Sequence, residues 1–137
     1  MEAQLSKSLE IRIPADTRYV AVVRRGVRSL AESVGFTGED LTDMEVAVSE
    51  AVTNSVTHGS PNTDAAVLVK CQASGERVVV EVEDQGAAED LPLEPIHDRI
   101  EEHGRGVLMM RTLMDELEGS RTNSGMKVRM AKQKGQR

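Results

Sequence analysis

Residues 49–59 read SEAVTNSVTHG and form the second half of a helix predicted from about residue 39 to residue 59. The final glycine and the Ser-Pro-Asn turn that follows it end this helix, because glycine favours a helix C-terminus and proline interrupts one. Apolar residues recur at helical spacing and make up its core stripe, which consists of Leu41, Met44, Val48, Val52 and Val56. Nearly opposite that stripe, Glu50 and Asn54 lie one turn apart, about 40° from each other at about 100° per residue.

Two interpretations of Glu50 and Asn54 are open. The first is a solvated helix face, which is the usual setting of such residues. The second is a magnesium-phosphate site, because hard oxygen ligands suit Mg²⁺ and a carboxylate can accept the proton of a hydroxyl nucleophile. An exposed helix face usually carries lysine and glutamate. The face of Glu50 and Asn54 instead carries small or apolar residues, namely Val46, Ala47, Thr53 and Thr57. This composition favours a face that is covered.

A carboxylate ends the most apolar predicted strand. Residues 78–84 read VVVEVED, and the two-residue period of a strand places Asp84 on the side of Val78, Val80 and Val82. A carboxylate that continues a buried row needs a partner, because burying it alone is costly. Asp84 is therefore either a capped strand end beside a turn or a recognition group for an amino group such as that of adenine. In the second case, Gly86 allows a ligand to approach the backbone.

The segment HGRG at residues 103–106 precedes another predicted helix. Backbone amides at a helix N-terminus attract phosphate, and the glycines Gly104 and Gly106 let phosphate oxygens come close. Arg105 adds a possible charge-assisted hydrogen bond. The alternative is a flexible hinge, which is the commoner role of two glycines before a helix.

The remaining pattern predicts a two-layer fold. In addition to the helix above, strands are predicted at Ser8–Ile13, Ala66–Ala73, Arg77–Asp84 and Gly125–Lys132, and helices at about Asp16–Val34 and Arg105–Leu117. The long connection from Gln85 to His103 is predicted to be a lid, a binding loop or disorder. Helices on one face of a mainly antiparallel sheet give an α+β fold, a two-layer α/β sandwich.

Length and composition fit a single domain, residues 1–137, with a basic and solvated tail from about residue 131. The hydrophobic fraction of 39% suffices for one core, and that core is aliphatic because aromatic residues make up only 1%. The net charge of -6 and the lack of aromatic platforms argue against direct nucleic-acid binding. Four arginines of the first helix form either a partner or dimer face or a solvated basic arc: Arg18, Arg24, Arg25 and Arg28.

The sequence also predicts a compartment. Cys71 is the only cysteine, so an intramolecular disulfide and a cysteine-based metal site are excluded, and a reducing compartment fits. The N-terminal segment lacks the apolar run of a signal peptide, and no stretch is long enough to span a bilayer. These features predict a soluble, cytoplasmic protein without a membrane partner.

Three segments together resemble the nucleotide-binding boxes of the ATPase superfamily that includes gyrase and the bacterial histidine kinases: SEAVTNSVTHG, VEVEDQG and HGRGVLMMRTLMDEL. Within this histidine kinase-like superfamily, the short chain and the words SEAVTN and LMDEL resemble the anti-sigma factor serine kinases, over about residues 9–132. The resemblance implies an ATP and magnesium site in which Glu50 is the catalytic carboxylate, Asn54 coordinates Mg²⁺ and Asp84 binds adenine. It assigns the phosphate side to Gly104, Arg105 and Gly106.

The resemblance also implies partners. Members of this family typically phosphorylate a serine on an anti-sigma factor antagonist, bind either that antagonist or a sigma factor, and commonly form homodimers. Phosphorylation adds about two negative charges to the antagonist and breaks its complex, which frees the kinase for the sigma factor. The resemblance therefore implies an anti-sigma factor with ATP-dependent serine kinase activity.

The chain departs from the family pattern at two places. Ala88 stands where the family often has a second glycine, next to an acidic lid segment at Glu89–Glu102, and Met126 follows Gly125 where many relatives have a hydroxyl residue. Two further functions stay open. One is an ATP-binding fold that acts by sequestering a partner with weak or no phosphoryl transfer, and the other is a partner-switch kinase whose target is not a sigma factor.

Overall fold

The computed structural model describes residues 6–59, 65–85, 105–122 and 125–135. Within them the chain forms, in order, β1 (Ser6–Pro14), α1 (Val20–Ser33), α2 (Gly38–Gly59), β2 (Ala66–Ser74), β3 (Arg77–Gln85), α3 (Arg105–Leu113), β4 (Glu116–Arg121) and β5 (Met126–Gln133). The predicted long connection after Gln85 lies outside the described residues.

The five strands form one antiparallel sheet in the order β1-β2-β3-β5-β4. Its register places apolar residues of neighbouring strands side by side, as in the row Ile11, Val69, Val82 and Val128. Because side chains alternate between the two faces of a strand, this register gathers the apolar residues on one face of the sheet.

The helices cover that apolar face. Helix α1 packs on β1 and β2, and α2 packs on β3 and β5. Both contribute buried residues at the predicted helical spacing, namely Val23, Val27 and Ala31 from α1 and Leu41, Met44, Val48 and Val52 from α2. The predicted two-layer α+β fold is confirmed. None of the helices in the described part of the chain is long and apolar enough to cross a membrane.

The arginines of the first helix are largely engaged within the chain. Asp16 caps a 3₁₀ turn at Thr17–Tyr19 by accepting the Arg18 N–H at 2.9 Å. Arg28 donates to Glu45 of α2 at 2.9 Å, and Arg24 lies 3.9 Å from the same carboxylate. Arg24 and Arg28 therefore join α1 to α2, and they do not form the purely solvated arc that the sequence pattern allows.

Two predicted boundaries near the C-terminus are wrong. The helix predicted to reach Leu117 ends at Leu113, because Glu116–Arg121 pairs with β5 as a strand. The tail predicted from about residue 131 is part of β5 as far as Gln133, and Lys132 within it is buried. Because β5 pairs with both β3 and β4, the chain forms a strand here as far as Gln133 and not a solvated tail.

Candidate nucleotide site

Helix α2 presents Glu50 and Asn54. The two side chains lie one turn apart on the helix, as the spacing predicts, and both are half-buried. Neither makes a hydrogen bond or an ion pair with another described residue. Their oxygens therefore have no competing protein partner there and can accept bonds from a ligand or coordinate a cation.

The buried surface of α2 extends from its core stripe onto the face of Glu50. Ala47 on that face is fully buried, as is Ala51, so the predicted covering is confirmed at Ala47, whereas Val46 and Thr57 on the same face are exposed. The reason is that α2 packs against α3 as well as against α1 and the sheet. Glu50 and Asn54 therefore lie at the edge of the buried surface and not opposite it, a position in which polar groups reach a ligand while water is partly excluded.

Asp84 lies near the end of β3 and is only 5% exposed. It shares the helix-facing side of the sheet with the fully buried Val78, Val80 and Val82, which confirms the predicted alternation. The backbone N–H of Met126 donates to Asp84 Oδ1 at 3.4 Å. A buried carboxylate held in this way suits the recognition of a hydrogen-bond donor such as an exocyclic amino group.

Gly125 lies directly against Asp84. A Cβ atom on Gly125 would overlap both Oδ1 and the main-chain oxygen of Asp84. The glycine is held in turn by Thr122, whose Oγ1 accepts the Gly125 N–H at 2.9 Å and whose N–H donates to the Gly125 carbonyl at 2.8 Å. Gly125 therefore forms a wall beside Asp84. The sequence signal for this contact is a glycine immediately before a strand.

The predicted phosphate segment is only partly described. Arg105 and Gly106 are the first residues of α3, so a helix N-terminus does occur at this point, while Gly104 and Gly86 lie outside the described residues. Buried residues fix α3 against the rest of the molecule, namely Val107 and Met110 within the helix and Met114 directly after it. Because α3 packs against α2, the helix of Glu50 and Asn54, the two elements that carry the predicted metal and phosphate groups are neighbours.

Lys132 is a charged residue of this region that the sequence pattern does not single out. Its side chain is buried, and Nζ donates to the main-chain oxygen of Leu113 at 2.6 Å and to Asp43 Oδ2 at 3.2 Å. A signal was nevertheless present, because Lys132 continues the two-residue alternation of Met126, Val128 and Met130.

The oxygens on α2 fit a magnesium ion that a nucleotide shares. No group of three or more His, Cys, Asp or Glu side chains suited to a metal occurs in the described part of the chain. Mg²⁺ in phosphate-transfer sites usually takes one or two protein oxygens and completes its shell with water and substrate phosphates. The amide oxygen of Asn54, with the carboxylate of Glu50 one turn away, fits such a donor set.

The chain is similar in sequence to proteins of known family. A sequence profile described as the histidine kinase-like ATPase domain matches residues 13–132. The serine-protein kinase RsbW of Bacillus velezensis is 37% identical over 135 residues, which cover 90% of this chain and 84% of that protein. The anti-sigma F factor of a Thermoanaerobacter species is 34% identical over 136 residues, which cover 94% of this chain and 95% of the relative.

The chain is also similar in structure to a solved protein. The crystal structure of the RsbU and RsbW domains of Rv1364c from Mycobacterium tuberculosis matches with a TM-score of 0.68 and 22% sequence identity. The match covers 92% of this chain and 32% of that chain. At this identity the likeness concerns the fold, and it agrees with a five-stranded antiparallel sheet covered by helices.

Proposed function

The chain belongs to the histidine kinase-like ATPase domain family, and from this premise we propose that it is an anti-sigma factor with ATP-dependent serine kinase activity. The similarity to serine-protein kinases extends over nine-tenths of the chain and gives the class of reaction. The roles that we assign to individual residues rest on one observation, the arrangement of Glu50 and Asn54 on α2. Glu50 and Asn54 are half-buried, one turn apart and unpaired with any described residue.

The reaction transfers the γ-phosphoryl group of ATP to a serine. The serine oxygen forms a bond to the γ-phosphorus, the bond from that phosphorus to the β-γ bridging oxygen breaks, and ADP leaves. We assign to Glu50 the acceptance of the proton that the serine hydroxyl loses. Its position at the edge of the buried surface of α2 supports this role, because a base must reach the hydroxyl of an incoming protein substrate.

Asn54 is proposed to hold the magnesium ion through its amide oxygen. When bound, Mg²⁺ neutralises charge that develops on the phosphate oxygens. The role of Asn54 is then to fix the position of the phosphates relative to Glu50, one turn away on the same rigid helix.

The remaining predicted residues recognise the nucleotide. Asp84 accepts a hydrogen bond from the adenine amino group, and the segment of Gly104, Arg105 and Gly106, whose last two residues begin α3, binds the phosphates. Gly86 gives the ligand access to the backbone after β3. The burial of Asp84 and its contact with Gly125 support the first of these roles.

Two partners follow from the proposal. An anti-sigma factor antagonist is the phosphorylated substrate, and a sigma factor is the protein that the kinase sequesters when the antagonist is phosphorylated. We further propose that the protein is a single-domain, cytoplasmic homodimer that contacts neither nucleic acid nor membrane. The net charge of -6 supports the proposal about nucleic acid.

A transfer assay tests the proposed function. The purified protein is incubated with γ-labelled ATP, magnesium and a purified anti-sigma factor antagonist, and we expect label on one serine of the antagonist. Glu50→Gln keeps the size of the side chain and removes the base, so transfer falls by about 10²- to 10⁴-fold while ATP still binds. Transfer that survives Glu50→Gln overturns the role of Glu50, and ATP binding without transfer to any antagonist favours an inactive module that acts by sequestration.

A further inference from the structure

Lys132 is one of the few buried charged residues in the described part of the chain. It lies on β5, on the helix-facing side of the sheet, and is 7% exposed. Its ammonium group donates to the carbonyl of Leu113 at 2.6 Å and to Asp43 Oδ2 at 3.2 Å. Burying an ammonium group is costly unless it is paired and hydrogen-bonded, and both conditions are met here.

The first of these contacts is made to a helix end. Leu113 is the last residue of α3, and the final carbonyls of a helix lack partners within it and carry partial negative charge. A cation on the sheet that bonds to this carbonyl therefore fixes the C-terminal end of α3. The opposite end of the same helix, beginning at Arg105, is the proposed phosphate end.

The second contact reaches α2. Asp43 lies about two turns before Glu50 and on the same side of the helix at about 100° per residue. One ammonium group thus bonds to α2, which carries Glu50 and Asn54, and to α3, which begins at the phosphate segment. Lys132 itself belongs to β5, the strand whose first residue, Met126, bonds to Asp84.

We propose that Lys132 is a positioning residue that orients α3 relative to α2, so that the amides at the start of α3 face the phosphates of the nucleotide held by α2. The inference rests on the proposed function. It explains the choice of a lysine, because a hydrophobic residue of similar volume at a buried ion pair is often equally compatible with stability. A charged group is needed because only an ammonium group can bond both to the Asp43 carboxylate on α2 and to the last carbonyl of α3, and these two bonds set the orientation of one helix relative to the other.

The proposal separates two parts of nucleotide binding. In the proposed site adenosine engages Asp84 on β3, whereas the additional affinity of ATP over adenosine comes from the phosphates at the start of α3. Replacing a residue that only supports folding would change the affinities for ATP and adenosine alike, or change neither. A residue that orients α3 affects ATP and leaves adenosine unchanged.

The experiment compares Lys132→Met with Lys127→Met. Lys127 lies on the same strand but on the open face of the sheet, where it is 3.9 Å from Glu81, so its replacement is a matched control. Affinities for ATP with magnesium are measured by calorimetry and for adenosine by NMR titration. For Lys132→Met we expect ATP affinity to fall by about tenfold, since a hydrogen bond to a charged group is lost, while adenosine affinity stays within about twofold. Lys127→Met changes neither.

The results separate this proposal from the proposed function. If the unmodified protein binds no ATP, the proposed function fails. If it binds ATP and Lys132→Met keeps the full preference for ATP over adenosine, the positioning role alone is overturned. Should circular dichroism show that Lys132→Met does not fold, Asp43→Asn decides the question, because it is isosteric and removes the counter-charge on α2. It is expected to lower ATP affinity by about threefold with adenosine unchanged, and an unchanged preference for ATP overturns the proposal.

Discussion

The backbone of Gly125 lies so close to the carboxylate of Asp84 that no side chain fits between them. The following residue, Met126, donates its N–H to Asp84 Oδ1 at 3.4 Å. Asp84 is buried, so contacts of this kind determine where its oxygens point. The start of β5 therefore positions the group that we propose to bind adenine.

Gly125→Ala is expected to weaken the binding of both ATP and adenosine by about tenfold or more, because the new methyl group displaces the Asp84 carboxylate. Overpacking at a buried site also lowers the free energy of unfolding by about 1–3 kcal/mol. Nucleotide titration and urea unfolding measure the two effects. Adenosine binding distinguishes this variant from one at Lys132, which is expected to affect ATP alone.

Gly75→Ala is the matched control for that change. Gly75 lies in the turn between β2 and β3, does not adopt a positive φ, and has nothing within 4 Å of the position a Cβ would take. We expect nucleotide affinity to be unchanged and stability to stay within about 0.5 kcal/mol. Equal effects of the two substitutions would show that the contact between Gly125 and Asp84 has no special role in binding.

Asn54→Ala is expected to remove the dependence of ATP binding on magnesium. With the amide oxygen present, we expect ATP to bind about tenfold more tightly with Mg²⁺ than with EDTA, since Asn54 would hold the ion and the ion would neutralise phosphate charge. In the variant that ratio approaches one, while adenosine binding is unaffected. Calorimetry in the two buffers gives the ratio directly.

Thr57→Ala is the control for the magnesium experiment. Thr57 lies on the same helix, is exposed, and bonds only to the carbonyl of Thr53 among the described residues, at 2.9 Å. Its replacement leaves the magnesium ratio unchanged. A full magnesium effect in Asn54→Ala would assign the ion to other ligands.

Local patterns predicted most of the fold. Strands β2 and β3 begin and end within one residue of their predicted limits, because their apolar alternation is strong and a short turn joins them. The same alternation placed Asp84 on the buried face. Strand β4 was missed because Glu116–Arg121 contains a single large apolar residue, Leu117, and becomes a strand only through its pairing with β5.

The parts of the site that the sequence did not show have a similar origin. The composition of the Glu50 face predicted that it is covered, but a helical wheel could not show that α3 packs against α2. The role of Lys132 depends on Asp43, which is 89 residues away in the sequence. Such long-range pairs leave no local pattern beyond the alternation along β5, and a lysine near the end of a chain is more often solvated.

Ser49→Ala is expected to stabilise the protein by about 1 kcal/mol. The Ser49 hydroxyl oxygen is buried and has no hydrogen-bond partner in the described part of the chain, so its removal relieves a desolvation cost, and alanine is the better helix former. Urea unfolding measures the change. Ser33→Ala is the comparison, because that hydroxyl donates to the Leu30 carbonyl at 2.7 Å and its loss offsets the gain in helix propensity. A less stable Ser49→Ala protein would mean that the hydroxyl has a partner such as bound water.

The rate at which the Cys71 thiol is alkylated should report both on folding and on nucleotide binding. Burial raises the pKa of its thiol from 9.0 to about 12, so the reactive thiolate is scarce in the folded state at neutral pH. Because the folded pKa is raised, the stability from the neutral thiol is complete below about pH 9 and is lost as the pH rises towards 12.

Because the buried thiol of Cys71 forms little thiolate, its alkylation at pH 8 should follow opening of the sheet. At 100 times its dissociation constant, ATP with magnesium should lower the population of the open form, and with it the rate of alkylation, about 100-fold. Equal rates with and without ATP, in a protein that calorimetry shows to bind it, would mean that Cys71 reacts through a local fluctuation that does not involve the nucleotide site.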